Sequence, residues 1–130
     1  MQQNDQMLAG LRILVVDDEA LIAMLLEDTL ADLGCTVVGP VSTVEAALAA
    51  VAQDGIDGVL LDANLHGKSA LPVAEALLDR GVPFILVTAY GFSDEEAPAL
   101  HDATRVQKPF NQKELTAAMA AAFVRSKPVM

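Results

Sequence analysis

Five times along this chain a short, continuous apolar run gives way to a segment with helical or loop character, and no other feature narrows the possible fold as far. The runs are Arg12-Ile13-Leu14-Val15-Val16, Thr36-Val37-Val38, Gly58-Val59-Leu60-Leu61, Phe84-Ile85-Leu86-Val87 and a shorter one near Arg105-Val106-Gln107. They are apolar without alternation, as expected of strands buried on both faces of a parallel sheet. After the first, Leu21, Ile22, Leu25, Leu26, Leu30 and Leu33 recur at helical spacing, and Gly34 supplies a C-cap. Gly39-Pro40 closes the second run, and Ser42 with Glu45 forms a capping-box pattern ahead of a helix through Ala46 to Ala52. Ala70 to Leu78 reads as a helix stopped near Gly81, and Asn111 with Glu114 caps a last helix to about Arg125. Ser93 and Glu96 pair in the same way, but Pro98 falls inside the helix they would open, where its ring clashes with the Asp94 carbonyl. That segment is expected to be short or mobile, or to start its helix at Pro98. Right-handed crossovers then predict an open, doubly wound α/β sheet.

In such a sheet function gathers at the carboxyl ends of the strands. The residues leaving strands one, three, four and five are Asp17-Asp18, Asp62, Thr88 and Lys108. Each has a plainer reading by itself: Asp17 and Asp18 as helix caps, Asp62 as a turn residue, Thr88 as an ordinary strand end, Lys108 as a solvated loop charge. Together they put three mutually repelling carboxylates at one edge, which is costly unless something positive offsets them. Lys108 supplies one charge, and a divalent cation would supply the rest. Oxygen-only donors in a partly open site suit Mg²⁺. Zinc is not expected, because His66 and His101 have no ligand-like spacing with Cys35. A carboxylate is a competent nucleophile for phosphoryl transfer, which asks mainly for positioning and charge neutralisation.

Composition sets the remaining limits. A chain of 130 residues fits one domain. Eight basic against eighteen acidic residues give a formal charge of -10, which argues against nucleic acid and anionic membrane as partners. The single cysteine, Cys35, excludes an internal disulfide and reads as a small buried hydrophobe. Residues 1–10 are polar and read as a flexible lead, 11–125 as the folded domain and 126–130 as a frayed tail. No apolar stretch would span a bilayer and no leader pattern opens the chain, so a cytoplasmic location is expected.

The strand-end residues sit in stretches that strongly resemble response-regulator receiver domains: Leu14-Val15-Val16-Asp17-Asp18-Glu19, Asp57-Gly58-Val59-Leu60-Leu61-Asp62, Thr88-Ala89 and Lys108-Pro109-Phe110. The resemblance runs from about Leu11 to Val124, with the motifs in order. It implies a flavodoxin-like five-stranded parallel sheet of order 2-1-3-4-5 with about five helices on both faces. It further implies that Asp62 accepts a phosphoryl group from a histidine kinase or phosphotransfer protein. Asp18 would bind Mg²⁺ directly, Asp17 largely through water, and the backbone carbonyl of Asn64 would complete the protein ligands with Asp62. Thr88 would contact the phosphoryl group in the active state and Lys108 would pair with one of its oxygens. A cis Lys108-Pro109 bond is implied as well.

Two departures matter. Arg105 stands where the family carries a strand-five aromatic. Pro83, Phe84, Thr88 and Tyr90 match a stand-alone receiver subgroup with a Pro-Phe-x-Phe-Ala-Thr-Gly-Tyr motif, while Leu86, Val87 and Ala89 do not. Asp62-Ala63-Asn64-Leu65-His66-Gly67 and Pro72-Val73-Ala74 also look like that subgroup. Because an arginine cannot fill an apolar slot without burying charge, Tyr90 is expected to share the switch with Thr88. The reading is a single-domain response regulator, monomer or weak dimer, that signals to an unknown downstream protein and is not an enzyme. Alternatives are a phosphoryl shuttle or sink, a receiver excised from a hybrid kinase, and a phosphorylation-independent pseudo-receiver. An aspartyl phosphatase would typically carry a second Asp two residues past the nucleophile, where this chain has Asn64.

Overall fold

The computed structural model describes residues 8–89 and 103–124. The apolar runs become β1 (Arg12–Val16), β2 (Thr36–Val41), β3 (Gly58–Leu61), β6 (Phe84–Thr88) and β7 (Thr104–Gln107), all paired parallel in the order β2-β1-β3-β6-β7. This is the expected 2-1-3-4-5 order, because a small antiparallel hairpin, β4 (Asn64–Leu65) with β5 (Lys68–Ser69), accounts for the extra numbers. Around the sheet lie α1 (Ala20–Asp32), α2 (Val44–Val51), α3 (Leu71–Arg80) and α4 (Gln112–Met119), the last continuing as a π-helical turn over Ala120–Val124. The segment expected to hold one more helix, with Ser93, Glu96 and Pro98, falls outside the described residues.

Alternate side chains of each strand point to opposite faces, so a continuous apolar run can feed two cores. Leu14, Val16, Val59, Leu61 and Leu86 pack against α2 and α3 through Val44, Ala47, Val73, Ala74 and Leu77. Ile13, Val15, Leu60, Ile85 and Val87 pack the other way, against Ala23, Leu26 and Leu30 of α1 and Leu115 and Met119 of α4. Phe123 closes this second core over Gly58, where a Cβ would lie 2.7 Å from the ring.

Four details differ from the sequence reading. Gly39-Pro40 does not close β2: the strand runs through a register irregularity to Val41, whose carbonyl accepts from the Asp17 amide. The N-cap of α2 is Thr43, whose hydroxyl accepts from the Ala46 amide at 3.0 Å, not Ser42. Packing starts before Leu11, because Leu8 is fully buried and its carbonyl accepts from the Cys35 thiol. Finally, His66 at φ 53 and Gly67 at φ 80 turn β4 into β5, a hairpin whose central residues both need positive φ.

Candidate functional site

Register brings the strand ends together. Val16 pairs with Leu61, Leu61 with Leu86, and Thr88 with Gln107, so Asp17, Asp62, Thr88 and Lys108 leave neighbouring strands at one edge. Asp17, Asp62 and Thr88 are buried polar residues there. The Lys108 amide donates to the Thr88 carbonyl at 3.1 Å, carrying the β6–β7 ladder one step past its end, and the Lys108-Pro109 bond is cis. That step delivers the lysine side chain to the acidic residues.

The Lys108 ammonium lies 2.7 Å from Glu19 Oε1, 3.0 Å from Asp17 Oδ2 and 3.2 Å from Asp62 Oδ2. Burial works against its charge, but the close contacts with Glu19 and Asp17 and the fields of Asp17 and Asp62 outweigh that, holding it above the usual lysine range. Asp17 shows the opposite balance. Burial pushes its carboxyl up; the Glu19 amide and Lys108 pull it down only in part, and the Asp62 charge adds to the rise.

The backbone fixes these carboxylates individually. Asp17 Oδ1 accepts from the Glu19 amide at 2.9 Å, so Asp17 serves the entry to α1 as well as the site. Asp62 Oδ1 accepts from the Asn64 amide at 3.2 Å. Asp18 Oδ2 accepts from the His66 amide at 2.8 Å, and the His66 ring nitrogen Nδ1 lies 3.8 Å from the same oxygen. The β4–β5 hairpin therefore tethers Asp18 from the far side, and Asn64 Oδ1 steadies the turn by accepting from the Gly67 amide at 3.0 Å.

Asp17, Asp18, Glu19 and Asp62 each offer an oxygen within 4.8 Å of the others. Asp17 Oδ2 is sealed from solvent and accepts no hydrogen bond, its nearest cation being the Lys108 ammonium at 3.0 Å. A buried, unsatisfied anionic oxygen among further carboxylates is what a hard, oxygen-seeking divalent cation would complete. The donor set fits Mg²⁺ and contains no soft ligand.

The structure thus gathers Asp17, Asp18, Asp62, Thr88 and Lys108 at one edge and sets Asn64 beside them, while Tyr90 lies outside the described residues. Arg105 is exposed and donates to the Ala103 carbonyl at 3.3 Å. Glu19 was not among the expected site residues. Its sequence signals are its place in the first-strand stretch and a third acid after Asp17-Asp18, and a side chain of that length at a helix entry points equally well to solvent.

Residues 13–120 match the family model described as the response regulator receiver domain. Among solved structures, SdrG from Sphingomonas melonis Fr1 is 46% identical with a TM-score of 0.74, over 86% of this chain and 95% of that one. A second structure, the BeF3-activated conformation of SdrG from Pseudomonas melonis Fr1, is 47% identical with a TM-score of 0.70, over 87% and 96%. The response regulator PhyR from Brucella abortus is 30% identical with a TM-score of 0.75, over 92% of this chain and 50% of PhyR. The transcriptional regulatory protein TcrA of Mycobacterium tuberculosis is 35% identical over 117 residues, which is 87% of this chain and 46% of TcrA. The chain spans about half the length of that curated relative.

Proposed function

The chain belongs to the response regulator receiver domain family, and from that membership we propose that it is a single-domain switch phosphorylated on Asp62. One observation carries the assignment: Asp62 is the buried carboxylate that Lys108 reaches with a hydrogen bond, at 3.2 Å, at the centre of the strand-end cluster. In the proposed reaction an Asp62 oxygen attacks the phosphorus of a phosphohistidine on a histidine kinase or phosphotransfer protein. The P–N bond breaks as the new P–O bond forms, and the departing imidazole takes up a proton from solvent. Asp62 Oδ1 is held by the Asn64 amide, which orients the nucleophile before the donor arrives. Lys108 neutralises charge on the transferred group, and the Thr88 hydroxyl, at the end of β6, donates to one of its oxygens in this reading. Asp17, Asp18, Asp62 and the Asn64 carbonyl would hold Mg²⁺, which when bound supplies positive charge at the phosphoryl oxygens.

The output is contact with a downstream protein rather than nucleic acid, in keeping with the charge of -10, and Tyr90 is proposed to move with Thr88. The subgroup reading, a stand-alone regulator, draws support from the 46% identity with SdrG, and a cytoplasmic location is proposed with it. The test is intact mass after incubation with acetyl phosphate and Mg²⁺. Wild type is expected to gain one phosphoryl group and Asp62→Asn none. Equal gain in the variant would move the acceptor elsewhere, and no gain in wild type would favour the pseudo-receiver.

A further inference from the structure

An ammonium has three N–H donors, and carboxylates surround the Lys108 ammonium on three sides. A phosphoryl group on Asp62 adds oxygens that compete for this ammonium, and the partner that leaves at least cost is the one they displace. Two of them are fixed. Asp17 and Asp62 are buried, and each has its other oxygen on a backbone amide. Glu19 differs: its side chain is 58% exposed, it makes no capping hydrogen bond in α1, and its contact with Lys108 is the shortest at 2.7 Å. Releasing a half-exposed carboxylate into water costs little, whereas moving Asp17 would strand a buried charge.

We propose that Glu19 is a positioning residue that occupies the Lys108 ammonium in place of a phosphoryl oxygen and surrenders it when Asp62 is phosphorylated. The inference rests on Asp62 as the acceptor. It makes Glu19 a competitor whose strength sets how readily the phosphorylated arrangement forms. While the partnership lasts it keeps the lysine extended across the cluster, pointed at Asp62. Glu19 is neither the nucleophile nor a contact to the donor; it acts through Lys108.

Fluoroberyllate stands in for the phosphoryl group, and its affinity at saturating Mg²⁺ reads the competition. Wild type is to be compared by calorimetry with Glu19→Ala and Glu19→Asp. The alanine variant is expected to bind fluoroberyllate about three- to fivefold more tightly, the upper part of the range for loss of a partly exposed ion pair. The aspartate variant should shift the same way, because it keeps the charge but is one methylene too short for the contact. In NMR, fluoroberyllate should move the Lys108 ammonium signal further in wild type than in Glu19→Ala, where the Glu19 contact is already absent. Thermal unfolding checks that both variants fold.

Equal fluoroberyllate affinity in wild type and Glu19→Ala overturns the role. So does tighter binding in Glu19→Ala with Glu19→Asp unchanged, which would mean a through-space charge and no specific contact. A tenfold or greater loss of Mg²⁺ affinity in Glu19→Ala, titrated without fluoroberyllate, would make Glu19 a metal ligand instead. Failure of wild type to bind fluoroberyllate sinks the Asp62 assignment and this inference with it, whereas the other outcomes strike Glu19 alone.

Discussion

Asp17 carries its charge against its surroundings, since burial and the neighbouring Asp62 raise its carboxyl above the ordinary 3.8 despite Lys108. Just above that value the folded chain holds a proton that the unfolded chain has released, so this group's contribution to stability falls as pH rises through the window. Asp17→Asn cannot ionise and keeps an oxygen for the Glu19 amide. In the absence of divalent cations it is expected to be more stable than wild type by about 1 kcal/mol near neutral pH. The advantage should shrink as pH falls towards 3.8. Urea unfolding in EDTA at about pH 7 and about pH 4.5 checks this, and a gain independent of pH would mean that charge is not its cause. Lys108 has the opposite sign: its raised pKa contributes stability that is complete below 10.5 and is lost only as pH climbs through the higher folded value. Mg²⁺ binding should be lost in Asp17→Asn along with the strain, because the oxygen sealed in the cluster is the one replaced.

Local chemistry decides where the elements begin and end, and α2 shows how narrowly. Ser42 and Thr43 both suit an N-cap, and it is Thr43 whose extended backbone, φ -129 and ψ 157, aims its hydroxyl at the Ala46 amide. Thr43→Ala should therefore cost about 1 kcal/mol in urea unfolding, while Ser42→Ala should cost a few tenths at most. The reverse order would restore the frame read from the sequence. The continuation of β2 through Gly39-Pro40 has the same kind of cause. Proline lacks a donor and is tolerated at an edge, and β2 is an edge strand, so the chain stays extended there until Val41 receives the Asp17 amide. The β4–β5 hairpin is too short for hydrophobic alternation to announce it. It exists because His66 and Gly67 take up positive φ, and its contribution is the His66 amide on Asp18.

For the molecule as a whole, a ligand that binds only the folded state must stabilise it. Fluoroberyllate with Mg²⁺ at about 100 times Kd is expected to add about 2.7 kcal/mol to the unfolding free energy of wild type. Calorimetric unfolding should show the increase in wild type and its loss in Asp62→Asn; an equal increase in both would place the anion elsewhere. The sequence alone determined the layer architecture and the edge at which function gathers, while the strand order came from the resemblance to receiver domains. Architecture and edge follow from periodicity, from the handedness of crossovers and from which residue ends each apolar run, all of which are local or chiral properties of the chain. Asp17, Asp18, Asp62, Thr88 and Lys108 were legible for the same reason, since strand register carries their side chains to one place. Only the tertiary structure decided the partners. Whether Glu19 reaches Lys108 or water, whether Leu8 joins the core, and which oxygen of Asp17 is left without a donor depend on approach between segments distant in sequence, where a difference of an ångström or so chooses the contact and no local pattern records it.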